Sequence, residues 1–137
     1  MKLKLSTMLF STVLTFATVS VGATEIVVIV SQKNPATRMF GAQASQFFLG
    51  QSTLFTPIEQ SDGSGIRNEF YQKVLGKDGS QVKAIWSKLV FTGKGTAPRE
   101  FSSSSEVRKA VAADPAAIGY IEKSAVDDSV KVILAVP

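Results

Sequence analysis

Residues 54–76 read LFTPIEQSDGSGIRNEFYQKVLG. Leu54 to Glu59 has the composition of a short strand, and Pro57 argues for an edge or irregular one because proline cannot donate to a ladder. Ser61-Asp62-Gly63-Ser64-Gly65 is a tight turn. Ile66, Phe70 and Val74 recur every four residues, which predicts a helix from about Ser64 to Gly76. A strand, a glycine-rich turn and a helix in succession are the building unit of a layered α/β domain.

The same turn carries the chemistry. Gly63 and Gly65 permit positive φ and let a ligand approach the backbone. The first N–H groups of a helix lack intrahelical partners, and the helix dipole makes that end partly positive. With the Ser64 hydroxyl as a further donor and Arg67 in the first turn, Asp62-Gly63-Ser64-Gly65 is a candidate anion site. A glycine-rich turn with a serine cap also begins many helices that bind nothing. The Gly-Lys-Ser/Thr ending of a P-loop is absent, which argues against a nucleotide.

Outward from this unit, Glu25 to Ser31 is a β-branched run that predicts a strand covered on both faces. Asn34-Pro35 marks a loop. Phe40, Ala44, Phe47 and Phe48 predict a helix over 37–49, closed by Gly50 in the left-handed conformation. Ser80 opens a further helix with Val82, Ile85, Trp86 and Leu89 on its buried stripe. Residues 91–101 read as a loop with Gly93-Lys94-Gly95 at an exposed tip, and one serine of 102–105 caps the next helix. That helix turns Val107, Ala110 and Val111 inward and ends at Asp114-Pro115; Ala117 to Ile121 and Val130 to Val136 are the last strands. The predicted order is β-α-β-α-α-α-β-β, an α/β domain. Trp86, Phe47 and Phe48 read as core residues, while Tyr71 and Tyr120 are within reach of a cleft.

The beginning of the chain reads differently. Lys2 and Lys4 precede a mostly apolar stretch from Met8 to Val21, and Val21-Gly22-Ala23 supplies the small residues of a cleavage site. Residues 1–23 are therefore expected to be a secretory signal and residues 24–137 the mature domain, exported without a membrane anchor. The stretch is shorter and more hydroxylated than a bilayer span requires. The formal charge of +4, with no dense basic run, disfavours nucleic acid. The 137 residues include no His and no Cys, which removes the commonest general base, the usual metal ligands and thiol chemistry, so an enzyme ranks last. No cofactor is expected.

Four segments in order resemble phosphate-binding proteins of ABC import systems. Gln60-Ser61-Asp62-Gly63-Ser64-Gly65 is similar to the family's Arg-x-Asp-Gly-Ser-Gly-Thr segment, and Phe48-Leu49-Gly50 to the helix end upstream of it. Trp86 with Gly93-Lys94-Gly95, and Ala117-Ile118-Gly119-Tyr120-Ile121-Glu122, follow in the same order. The resemblance implies a single lobe, the second, of a type II periplasmic binding protein, with a mixed, mostly parallel sheet flanked by helices.

It also implies a periplasmic location and inorganic phosphate or a similar oxyanion as ligand. The site would comprise Ser64, Gly65 and Ile66, with Asp62, Gly63, Gln60 and Arg67 around them. Two positions depart from the pattern. Gln60 stands where the family has Arg, which removes a charged donor fork, and Ile66 stands where it has Thr. Arg67 is one helical position away, about 100° around the axis. With only one lobe, the cleft would need a homodimer or a second-lobe partner protein to close it. The alternative is a non-catalytic envelope interaction protein that kept the fold and lost the ligand.

Overall fold

A computed structural model describes residues 25–137. The expected signal at 1–23 lies outside the described residues. The elements are β1 (Ile26–Ser31), α1 (Gly41–Phe48), β2 (Thr56–Gln60), α2 (Gly65–Phe70), α3 (Gly79–Phe91), β3 (Arg99–Phe101), α4 (Ser104–Ala113), β4 (Ala117–Glu122) and β5 (Val130–Val136). A π turn, Tyr71–Leu75, prolongs α2, and a 3-10 turn, Lys123–Ala125, follows β4.

The five strands form one sheet in the order β3-β2-β4-β1-β5. β2 runs parallel to β3 and β4, whereas β1 runs antiparallel to β4 and β5. Only β1 points the other way, so the sheet is mixed and mostly parallel. Alternation along β1 divides its apolar side chains between two cores. Ile26, Val28 and Val30 face α1, the α2 segment and α3, together with Phe48, Phe70 and Ile118. Val27 and Ile29 face α4, together with Ile58, Val107 and Val111. A strand buried on both faces is what its continuous apolar sequence requires.

Several local expectations change. β2 is an interior strand, not an edge; Pro57 lies before Ile58, where the pairing with β3 begins, so its missing N–H costs no bond on that side. β3 was hidden in the expected loop because it is three residues long and two of them, Arg99 and Glu100, are exposed and charged. α1 starts at Gly41, because the Met39 amide donates to the Ile133 carbonyl of β5 (2.9 Å) and holds the preceding chain extended; Phe40 is exposed. The cap of α3 is Asp78, whose carboxylate accepts the Gln81 amide (2.9 Å), rather than Ser80. Gly50 does have positive φ (68°), and Gly93 (69°) closes α3 in the same manner. At that end the Lys94 amide reaches the Leu89 carbonyl (2.8 Å), so Gly93-Lys94-Gly95 is a helix stop.

α4 lies close upon β4 because Gly119 has no side chain. A Cβ there would stand 2.9 Å from Val111 Cγ2 and 3.0 Å from Val107 Cγ1, two side chains fixed in the core. We predict that Gly119→Ala destabilises the domain by about 1–3 kcal/mol, as overpacking does. Gly41→Ala, where nothing lies within 4 Å, serves as the control and is neutral or mildly stabilising. Urea titration followed by far-UV circular dichroism measures both.

Candidate functional site

The parallel strands β2, β3 and β4 end on the same side of the sheet, and a depression of about 610 Å³ lies there. Ligands of open α/β sheets gather at such carboxyl ends. The depression is lined by Gln60, by Ser64, Gly65 and Ile66 at the start of α2, by Ser102, Ser103 and Ser104 at the start of α4, and by Glu69 and Glu122.

Local geometry explains the exposed amides. The Ser64 amide donates to the Ser61 carbonyl (3.1 Å), and Gly63, at φ 83°, completes the turn. Ser64 is the N-cap of α2; its hydroxyl oxygen accepts the Arg67 amide at 3.5 Å, a long bond that leaves its own proton free to donate. Among the described residues, no acceptor reaches the amides of Gly65 and Ile66. α4 begins alike, with the Ser103 hydroxyl oxygen accepting the Glu106 amide (3.1 Å). Glu106 in turn accepts the Ser102 hydroxyl (2.8 Å) and amide (3.1 Å), bonds that hold its carboxyl below the ordinary carboxylate range.

The expected site residues do not all meet. Ser64, Gly65, Ile66 and Gln60 line the depression, but the Gln60 side-chain amide is committed: Nε2 donates to Ser104 Oγ (3.2 Å) and to the Tyr120 carbonyl (3.2 Å). Arg67 is turned to the opposite side, as its rotation along the helix requires. Its Nη1 donates to the Gln60 carbonyl (2.9 Å) and to Glu100 Oε1 (2.8 Å), and its guanidinium lies over the Tyr71 ring. The structure therefore does not bring the Arg67 charge into the depression. Asp62 is exposed and faces Arg67's side. Glu69 is paired with Lys73 (2.7 Å). The sequence reading gave the serines at 102–104 a capping role only; their place beside Ser64 depends on the pairing of β2 with β3.

On Arg67's side a second cleft, of about 650 Å³, opens between α3 and the β2–β3 edge. Glu59 lies at its floor, 3% exposed. The Tyr120 hydroxyl donates to its Oε2 (2.6 Å), whereas Oε1 is buried without a hydrogen-bond partner among the described residues. Burial pushes the Glu59 carboxyl up to about 7, against the bond from Tyr120, the nearby charge of Arg67 and the neighbouring Tyr71 hydroxyl. Burial likewise raises the Tyr71 and Tyr120 hydroxyls, with the neighbouring carboxylate adding to the effect. Trp86, expected in the core, is a half-buried wall of this cleft, with Nε1 donating to the Phe48 carbonyl (2.9 Å). No sequence signal marked Glu59, because its partners Tyr120 and Arg67 come from other elements. No helix among the described residues is long and apolar enough to cross a membrane.

The fold is that of one lobe of a two-lobed substrate-binding protein. Solved structures that share it include a Clostridium perfringens protein described as a phosphate ABC transporter substrate-binding protein and solved with bound phosphate. The two are 24% identical with a TM-score of 0.65, over 79% of this chain and 43% of that one. An ABC-type phosphate transport receptor from Vibrio cholerae is 21% identical (TM-score 0.63), over 79% of this chain and 44% of that one. PstS from Borrelia burgdorferi is 14% identical (TM-score 0.61), over 79% and 46%. The chain thus spans less than half the length of each. No family model and no curated protein matches the sequence.

Glu59 makes a pH prediction. Its folded pKa lies above its ordinary 4.5, so the native state binds the extra proton. Its contribution to stability is greatest below pH 4.5 and is lost as the pH rises to about 7. The loss amounts to about 3 kcal/mol by linkage. Glu59→Gln is expected to be the more stable protein at pH 8, with the difference from wild type shrinking toward pH 4.5. Urea unfolding across that range measures it; a difference independent of pH would contradict the assignment.

Proposed function

We propose that the chain is an exported, non-catalytic binding lobe that holds a small oxyanion, inorganic phosphate foremost, and that is related in function to substrate-binding proteins of ABC importers. The observation that carries this reading is the pair of unoccupied amides at Gly65 and Ile66, which open with the Ser64 hydroxyl onto the depression. Ser64 donates from its side chain, Gly65 and Ile66 from the backbone, and Gly63 sets the turn that aims them. The start of α4 at Ser103 and Ser104 adds a second partly positive end. Residues 1–23 act as the export signal to the periplasm, and residues 24–137 are the functional domain.

One lobe forms half of an anion pocket. In water each hydrogen bond to the anion yields little net free energy, and Glu122 at the rim, with Glu69 largely offset by Lys73, opposes a negative ligand. Affinity is therefore millimolar or weaker, about −4 kcal/mol at best. Tight capture needs a second lobe, from another copy or a partner protein, closing over the depression.

The spent amide of Gln60 and the diverted Arg67 favour a second reading, an envelope interaction protein that retains the lobe and no ligand. Thermal unfolding separates the two. Phosphate at about 50 mM is expected to stabilise by ~1 kcal/mol and to raise Tm by roughly 4 °C. Ser64→Ala removes the shift. Indifference to phosphate, together with a concentration-dependent dimer in sedimentation, would establish the second reading instead.

A further inference from the structure

The cleft between α3 and the β2–β3 edge has no part in oxyanion binding, and its chemistry is of the opposite kind. Its wall is apolar, formed by Val82, Trp86, Val90, Phe91 and Pro98. Phe91 is 91% exposed, the most exposed of the large apolar residues described, whereas Phe48, Phe70 and Tyr120 pack together in the core. The floor is Glu59, with one carboxylate oxygen satisfied by Tyr120 and the other, Oε1, buried without a properly formed hydrogen bond among the described residues, although the Tyr71 hydroxyl stands beside the group. A buried acceptor without a donor costs about 1–3 kcal/mol, more when it is charged. A ligand supplying that donor recovers this free energy.

We infer that this cleft is a second binding site, which takes a small amphipathic amine: an ammonium head toward Glu59 and an alkyl or aryl body along Trp86, Val90 and Phe91. The charges decide the sign of the head group. The Arg67 guanidinium is already paired with Glu100 and bonded to the Gln60 carbonyl. Lys83 and Asp62, which also line the cleft, bring one charge of each sign. The Glu59 carboxylate, which has no ion-pair partner among the described residues and is only partly offset by the nearby Arg67, is the acidic group left at the floor. A carboxylate or phosphate head would be repelled there, so the two sites divide their ligands by charge. The inference stands or falls separately from the oxyanion reading, whose site is on the other side of Gln60.

Trp86 is the chain's single tryptophan and stands in the wall, so intrinsic fluorescence reports on this cleft. The protein is titrated at pH 8 with n-hexylammonium, and in parallel with n-hexanol and n-hexanoate. A saturable change with hexylammonium is expected. Binding is about tenfold weaker for hexanol or in Glu59→Gln, each of which lacks the charge-assisted bond, and hexanoate gives no saturable change. Val90→Lys, at an exposed position, brings a cation to the wall and weakens hexylammonium binding by about tenfold as well. No saturable response to hexylammonium in the wild type overturns the inference. So does an affinity unchanged in both variants, or hexanol and hexanoate binding as tightly as the amine.

Discussion

The structure depends on how the polar end of β2 is tied down. Glu59 and Gln60 are both buried at the point where the strand stops and the chain must turn into α2. The Tyr120 hydroxyl donates to Glu59 and accepts the Gln60 amide (3.4 Å), and the Tyr120 carbonyl accepts from the Gln60 side chain. Arg67 returns from α2 to the Gln60 carbonyl and to Glu100 on β3. One network thus joins three adjacent strands and a helix start. Buried polar groups that satisfy one another rigidify a site, and the one left out is costly. Here the omitted atom is Glu59 Oε1.

Because successive strand residues point to opposite faces, Glu59 and Gln60 divide the end of β2 between two concavities. Gln60 faces the serines of α4, and the turn beside it presents free amides, a donor surface suited to a negative solute. Glu59 faces α3 and presents an acceptor beneath an apolar wall, suited to a positive one. Arg67, the side chain that would make the first site strongly cationic, serves instead to neutralise part of the second. Its diversion explains both the weak affinity expected for an oxyanion and the fact that Glu100, rather than Glu59, holds the ion pair with Arg67.

The sequence made the local geometry legible and the tertiary polar contacts obscure. The near-continuous apolar run 25–31 foretold a strand buried on both faces, Gly50 foretold a helix end with positive φ, and Gly76 foretold where the α2 segment stops. Ser64 as the start of a helix followed from the turn before it. β3 escaped notice because three residues with exposed charges have no periodicity to read. Arg67 was expected around the anion site; its rotation along the helix was the one sign that it points elsewhere, and nothing local revealed Glu100, a residue on another strand. The union of Ser64 with Ser103 and Ser104 required knowing that β2 and β3 are neighbours. Tyr120 lies 61 residues from Glu59, and nothing local predicts that contact.

The central claim is that the first amides of α2 are free to grip a negatively charged solute. Amide resonances in a proton–nitrogen correlation spectrum report on this atom by atom. During titration with phosphate, the Gly65 and Ile66 signals are predicted to move downfield along one saturable curve, with Ser104 following at smaller amplitude and the strand amides of β1 unmoved. If Gly65 and Ile66 keep their positions, or shift no more than exposed amides remote from the depression, the helix start does not bind and the account is wrong.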